Sequence, residues 1–113
     1  MSTATKTGRP FVAVTSERNL ALATQLDGHG EPVFLFEWRS RPRPFEPEKI
    51  LELTIAALRA RDFDPDSDAV VFTGQLVYVA TLLAAVMMEH GRANVLVFDA
   101  VNERYVARRM KKR

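Results

Sequence analysis

One turn in the sequence has residue types that suit the binding of a phosphate group. Thr73, Gly74 and Gln75 follow an apolar run over residues 69–72 and precede a long apolar stretch, so we predict that they join a buried strand to a helix. Free N–H groups and the dipole at the start of a helix attract anions, and Asp99, at the end of the next predicted strand, suits a ribose-binding acid. The turn has one glycine where dinucleotide-binding turns have three, and no lysine of a phosphate loop, so an ordinary tight turn is the alternative interpretation.

Two groups of basic residues could contact nucleic acid. The first lies in a proline-containing loop flanked by Trp38 and Phe45, where aromatic rings can stack on bases while the arginines neutralise phosphates. The second group lies at the C-terminus. The residues concerned are Arg39, Arg41 and Arg43 in the loop, and Arg108, Arg109, Lys111, Lys112 and Arg113 at the C-terminus. The alternative interpretation is a stiff connector and a solubilising tail.

The net charge of +2 conceals an uneven distribution. Residues 104–113 contain six of the 16 basic residues and no acid, so this segment carries +6 and the other 103 residues carry −4. A protein that binds nucleic acid over a broad surface has its basic residues spread over that surface. Any attraction for polyanions is therefore expected to be local to the C-terminus and the arginine loop.

Other reactive constellations are poorly represented. The chain has no cysteine, which excludes disulfides, thiol nucleophiles and cysteine-ligated metals, and its two histidines are too few for a His-rich metal site. No serine lies in a Gly-x-Ser-x-Gly turn. Acids alternate over residues 62–68 as in the first half of a calcium loop, but Ser67 replaces the required glycine and Thr73 replaces the final glutamate. We predict no catalytic residue, no metal and no cofactor, which favours a binding protein over an enzyme.

Local patterns predict the elements that must position these residues. Short apolar runs over residues 69–72 and 95–98 are typical of strands buried on both faces, and an apolar helix over residues 75–89 separates them. Strand, helix and strand in this order predict a right-handed βαβ unit with parallel strands. An earlier helix is predicted over residues 47–61, and residues 104–108 are predicted to return antiparallel to 95–98.

The first third of the chain leaves an alternative open. Residues 11–14 form a short strand-like run. Residues 19–26 alternate between larger and smaller side chains and precede a turn signal, so a hairpin with residues 33–38 is predicted. A helix over residues 16–26 is the competing prediction, because a serine or threonine could cap its start.

The helix over residues 75–89 is apolar almost all round, and a helix of this kind is expected to be buried all round. In so short a chain a second subunit is a natural cover, so we predict a homo-oligomer, most simply a twofold dimer. The first helix and the N-terminal arm are the alternative cover. The predicted interface residues are Val79, Leu83, Val86 and Met87.

Together these patterns predict one small α/β domain (α+β remaining open) with a mixed five-stranded sheet, two helices and the order β-(β-β)-α-β-α-β-β. The domain is expected over residues 11–108, between a flexible arm (1–10) and a basic tail (109–113). We expect a cytoplasmic, non-catalytic binding or accessory protein that contacts nucleic acid or a protein partner through the arginine loop and the tail. The alternative is a nucleotide- or phosphate-binding protein or enzyme that uses the turn at Gly74.

Overall fold

The computed structural model describes residues 10–16, 26, 28–72 and 75–112, and within them it contains five strands and two helices. The strands are β1 (Phe11–Ser16), β2 (Glu31–Phe36), β3 (Ala69–Val71), β4 (Arg92–Asp99) and β5 (Arg104–Lys111). The helices are α1 (Pro47–Ala60) and α2 (Leu76–His90), and a short 3-10 turn occupies Trp38–Ser40. The predicted α/β class and the order of elements are confirmed.

The strands form one mixed sheet in the order β2-β1-β3-β4-β5. Three neighbouring pairs are parallel, and only β4 and β5 run antiparallel. β3, α2 and β4 form the βαβ unit expected from the apolar runs. The sheet thus has a parallel centre and one antiparallel edge strand.

The hairpin prediction assigned β2 an antiparallel partner in residues 19–26. β2 pairs in parallel with β1, from Phe11 opposite Glu31 to Ser16 opposite Phe36. Parallel neighbours need a crossover of about a dozen residues, and fourteen residues separate the two strands. Residues 17–25 and 27, which contain nearly all of the predicted first hairpin strand, lie outside the described residues.

Both helices pack on one face of the sheet, which we call the helix side. Every fourth residue of α1 from Ile50 to Leu58 is buried, because this spacing places side chains on one helix face. α2 contacts β1, β3 and β4 and lies beside α1. It ends at Gly91, which has a left-handed φ of 72° and donates its backbone N–H to the carbonyl of Met87 at 2.8 Å. Neither helix of the described chain is long and apolar enough to cross a membrane.

The opposite face of the sheet is also buried at its centre. Val12 and Val14 of β1, Val71 of β3 and Leu96 of β4 form a second apolar cluster there, and Leu26 packs on it with no exposed surface. Burial on both faces explains why these strands are uninterrupted apolar runs.

β5 is longer than its sequence pattern indicated. It continues to Lys111, beyond the predicted end at Arg108. β4 begins at Arg92, before the apolar run, and so offers a pairing partner to every residue of β5. Three basic residues that the sequence assigned to the end of the domain or the tail therefore belong to the sheet: Arg108, Arg109 and Lys111.

Candidate functional site

The chain changes direction across the sheet between β1 and β3. From β1 it passes to β2 on one side, and from β3 it passes to β4 on the other side. In open sheets of parallel strands, ligands bind in the crevice beyond the carboxyl ends of the strands where the connections diverge. The ends of β1 and β3, at Ser16 and Val71, define that position in this fold.

The start of α2 lies directly after β3 at this edge. Gln75 is its N-cap residue, with extended backbone angles of φ −68° and ψ 136°, and within the described chain its side chain makes no capping hydrogen bond. The first turn of α2 has no acidic residue that would neutralise the positive end of the helix dipole. Thr73 and Gly74, the other residues of the predicted turn, lie outside the described residues.

The arginine loop reaches the same helix end. The Tyr78 hydroxyl, in the first turn of α2, donates a hydrogen bond to the carbonyl of Pro42. The guanidinium carbon of Arg41 lies 5.8 Å from the centre of the Tyr78 ring, within the range of a cation–π contact. Tyr78 is only 4% exposed and Arg41 is half-buried, so the packing fixes both side chains. The loop and the first turn of α2, which were assigned to separate sites from the sequence, are therefore neighbours.

Tyr78 belongs to the candidate site but was not singled out from the sequence. It lies in a helix that the sequence pattern describes as apolar almost all round, so its hydroxyl received no separate role. The signal was its hydroxyl, because a buried tyrosine hydroxyl needs a hydrogen-bond partner. The loop that supplies this partner is 36 residues away in the chain, so no local pattern identified it.

Arg39 and Arg43, the other arginines of the loop, are exposed. Arg39 lies in the 3-10 turn that follows β2. The strands β1, β2 and β3 are parallel, so their carboxyl ends lie together at one end of the sheet, which we call the carboxyl edge. The loop follows β2 and therefore adds positive charge at the carboxyl edge. Phe72, the first residue after β3, contributes a 41% exposed aromatic ring there.

Asp99 is the last residue of β4, as predicted, and its carboxylate is hydrogen-bonded within the turn that joins β4 to β5. Its Oδ1 accepts hydrogen bonds from the backbone N–H groups of Val101 (3.1 Å) and Asn102 (3.3 Å). Its Oδ2 accepts one from the Asn102 side-chain amide at 2.7 Å. The hydrogen bond from the Asn102 side chain is the main cause that lowers the pKa of this carboxyl. Asp99 therefore acts as a turn cap in this structure.

The basic residues near the C-terminus lie far from the arginine loop. Arg108, Arg109 and Lys111 lie in β5 and Lys112 follows it, at the opposite side of the sheet from β2, about 19 Å away at four strand spacings. The backbone N–H of Lys112 donates a hydrogen bond to the carbonyl of Gly91, just before β4 begins. β5 therefore ends beside the amino end of β4, at the end of the sheet opposite the arginine loop. Arg109 forms an ion pair with Asp66 at 3.2 Å. Arg113 lies outside the described residues. The two predicted basic groups thus do not form one surface.

The predicted interface residues lie mainly inside the protein's own core. Val86 has no exposed surface and Val79 is 9% exposed, while Leu83 and Met87 are half-buried against the core. The sheet and α1 of the same chain provide this cover.

The alternating acids of the loop before β3 hold the loop together. Asp68 is fully buried, and its two oxygens accept hydrogen bonds from the backbone N–H groups of Phe11 (2.9 Å) and Asp64 (2.7 Å). Asp66 pairs with Arg92 at 2.7 Å as well as with Arg109. Among the described residues, no cluster of histidines and acids could hold a metal ion. The calcium-like spacing is therefore explained by structural hydrogen bonds.

Comparison of the chain with protein-family models, with curated proteins and with solved structures finds no match.

Proposed function

We propose that this protein binds a nucleotide through its phosphate groups, at the carboxyl edge of the sheet between the start of α2 and the arginine loop. The observation that carries the proposal is the packing of Arg41 against Tyr78, which holds a guanidinium beside the first turn of α2. Helix N–H groups and an arginine together form a strong binding site for phosphate, because they combine directed donors with a charge that cannot be lost.

Each described part has a role in this proposal. The uncapped start of α2 donates backbone hydrogen bonds to the phosphate, and Arg41 neutralises its charge. Tyr78 is a positioning residue, because its bond to Pro42 fixes the loop that carries Arg41. The exposed ring of Phe72 provides a surface on which a base can stack.

A small ligand at this edge accounts for the geometry better than nucleic acid bound by the loop and the tail together. The loop and the basic end of β5 lie at opposite edges of the sheet. A polyanion that contacted both would have to wrap around the sheet, whereas a nucleotide needs only the loop and α2. The site also requires no second subunit, so the homo-oligomer expected from the sequence is a separate hypothesis.

Calorimetric titration with a panel of nucleotides (ATP, GTP and NAD) tests the proposal. We expect at least one of them to bind, and Arg41→Gln to weaken its affinity by about tenfold or more, since a charged hydrogen-bond donor is removed. Arg108→Gln on β5 is the matched control and should leave the affinity unchanged. A thermal melt of each variant verifies that the fold is intact.

Two results would overturn the proposal. One is the absence of binding by every nucleotide in the panel. The other is equal affinity in the Arg41→Gln variant and the wild type. A longer single-stranded oligonucleotide that binds more tightly than any nucleotide, with a steep dependence on salt, would instead indicate the nucleic-acid function.

A further inference from the structure

β5 is one of the two edge strands of the sheet, and β2 is the other. All eight of its residues pair with β4 on one side, and no strand of the described chain pairs with its other side. About half of the backbone N–H and C=O groups of such a strand point away from its partner. Its sequence has no proline or glycine, the residues that usually interrupt an edge. This edge therefore presents a regular row of donors and acceptors.

On the helix side of the sheet, apolar side chains of β4 and β5 are exposed or half-buried. Val106 lies opposite Val97 of β4, and Met110 lies opposite Ala93, which belongs to the helix-side core. α2 packs over β1, β3 and β4, so the sheet extends beyond the helices at β5. Val97 is 48% exposed and Met110 is 41% exposed. A further strand beside β5 could cover part of this surface.

Positive charge surrounds the same edge. Arg108 and Lys111 are exposed on β5, and Lys112 follows it. None of the three forms an ion pair with the residues that the structure describes, in contrast to Arg109, which is bound to Asp66. Arg108 bonds only to the backbone carbonyl of Ala107 among its described partners. An occupant of this edge must therefore bring negative charge.

Neither a second copy nor the chain's own N-terminus meets this requirement. An antiparallel β5–β5 pair centred on Ala107 and Arg108 would place Arg104 opposite Lys111 at both ends, and like charges directly opposite destabilise a sheet. The first nine residues contain Lys6 and Arg9 and no acid. Both candidates add positive charge to an edge that is already positive.

From this edge we infer that β5 is a docking strand for an extended acidic segment of a partner protein, which adds to the sheet as a sixth strand. Backbone hydrogen bonds provide the affinity, as in other cases of strand addition. Carboxylates of the segment pair with Arg108 and Lys111, and its apolar side chains cover Val106 and Met110. This surface is separate from the proposed nucleotide site, because that site lies beyond the carboxyl ends of β1 and β3, and β4 lies between β3 and β5.

The probe is an eight-residue peptide labelled with fluorescein that, when paired antiparallel with β5, carries glutamates opposite Arg108 and Lys111, valines opposite Val106 and Met110, and threonines elsewhere. Its anisotropy reports binding to the intact protein. The double variant Arg108→Glu/Lys111→Glu should weaken its affinity by about tenfold or more, because two attractive pairs become repulsive. The same variant should gain affinity for the corresponding lysine–valine peptide. The double variant Arg39→Glu/Arg43→Glu makes the same change of charge away from β5 and should bind the acidic peptide as the wild type does.

Strand pairing is measured separately by amide hydrogen exchange. The acidic peptide should slow the exchange of alternate amides in β5, and a backbone N-methylated version should bind more weakly. Equal affinity of the acidic peptide for the wild type and the β5 variant would overturn the inference. So would an oligothymidine that displaces the peptide at a lower concentration than the unlabelled peptide does, or a solution mass that shows a dimer broken by the β5 variant. These two results would assign the edge to nucleic acid or to a second copy.

Discussion

Asp68 provides a sharp test of how the loop before β3 is held. We expect Asp68→Ala to lower the free energy of unfolding by about 3 kcal/mol, because it removes the acceptor of two backbone hydrogen bonds at a fully buried position. Hydrogen bonds to a charged acceptor contribute about 1.5–3 kcal/mol each. Both bonds use the same carboxylate, and burying that carboxylate is itself unfavourable because it loses its water. The expected loss of unfolding free energy is therefore smaller than the sum of two bonds at the upper end of this range.

Urea unfolding followed by circular dichroism measures this loss, and the melting temperature should fall by about 10 °C in a domain of this size. Asp68→Asn keeps the shape and one acceptor oxygen, so its loss should be about half as large. Glu52→Gln, which removes an exposed carboxylate on α1, is the control and should change the free energy of unfolding by less than about 0.5 kcal/mol. If Asp68→Ala were as stable as Glu52→Gln, the structural role of the buried carboxylate would be refuted.

Two further predictions concern charge and packing. The hydrogen bond from the Arg92 guanidinium holds the pKa of Asp66 far below its ordinary value, so the folded state favours the charged carboxylate. The stability that this provides is present above the ordinary pKa and is lost as the pH falls. Asp66→Asn should therefore flatten the decline in unfolding free energy between about pH 4 and pH 2. Urea unfolding at a series of pH values measures this decline, and an unchanged slope in the variant would contradict the prediction. Leu82→Ala, at a position of α2 with no exposed surface, should destabilise the protein by about 2–5 kcal/mol. Met88→Ala, at a 67% exposed position of the same helix, should cost less than about 0.5 kcal/mol, and equal losses would show that α2 is covered by something other than its own chain.

The parts of the fold that could be predicted are those in which one local pattern decides the outcome. The apolar runs of β3 and β4 indicate strands that are buried on both faces, and Gly91 ends α2 because glycine adopts a positive φ without strain. The spacing of apolar residues in α1 likewise placed its buried face. These signals lie within a few residues of the elements they specify.

The partners of these elements were harder to predict, because contacts between distant segments leave no local pattern. The pairing of β2 with β1 depends on a crossover, whereas the turn signal near Gly28 favoured a hairpin. The buried carboxylate of Asp68 holds a backbone N–H 57 residues away, so its loop was first compared with a metal site.

The sequence patterns assigned the residues of the candidate site to two separate sites for the same reason. Arg41 and Gln75 were each selected for sound chemical reasons, but as members of different sites with different ligands. Tyr78, which brings them together, has its hydrogen-bond partner in the loop and its sequence neighbours in the core. A helix so apolar was also assigned an outer face for a second subunit, although α1 and the sheet of the same chain bury Val79 and Val86.

The most direct test of a phosphate site at the start of α2 is an NMR titration of the isotope-labelled protein with ATP. We expect the backbone amide signals of Gln75, Leu76 and Val77, together with the signals of Arg41, to shift most and to saturate together. Shifts confined to β5, or an unchanged spectrum at millimolar ATP, would contradict a phosphate site at the start of α2.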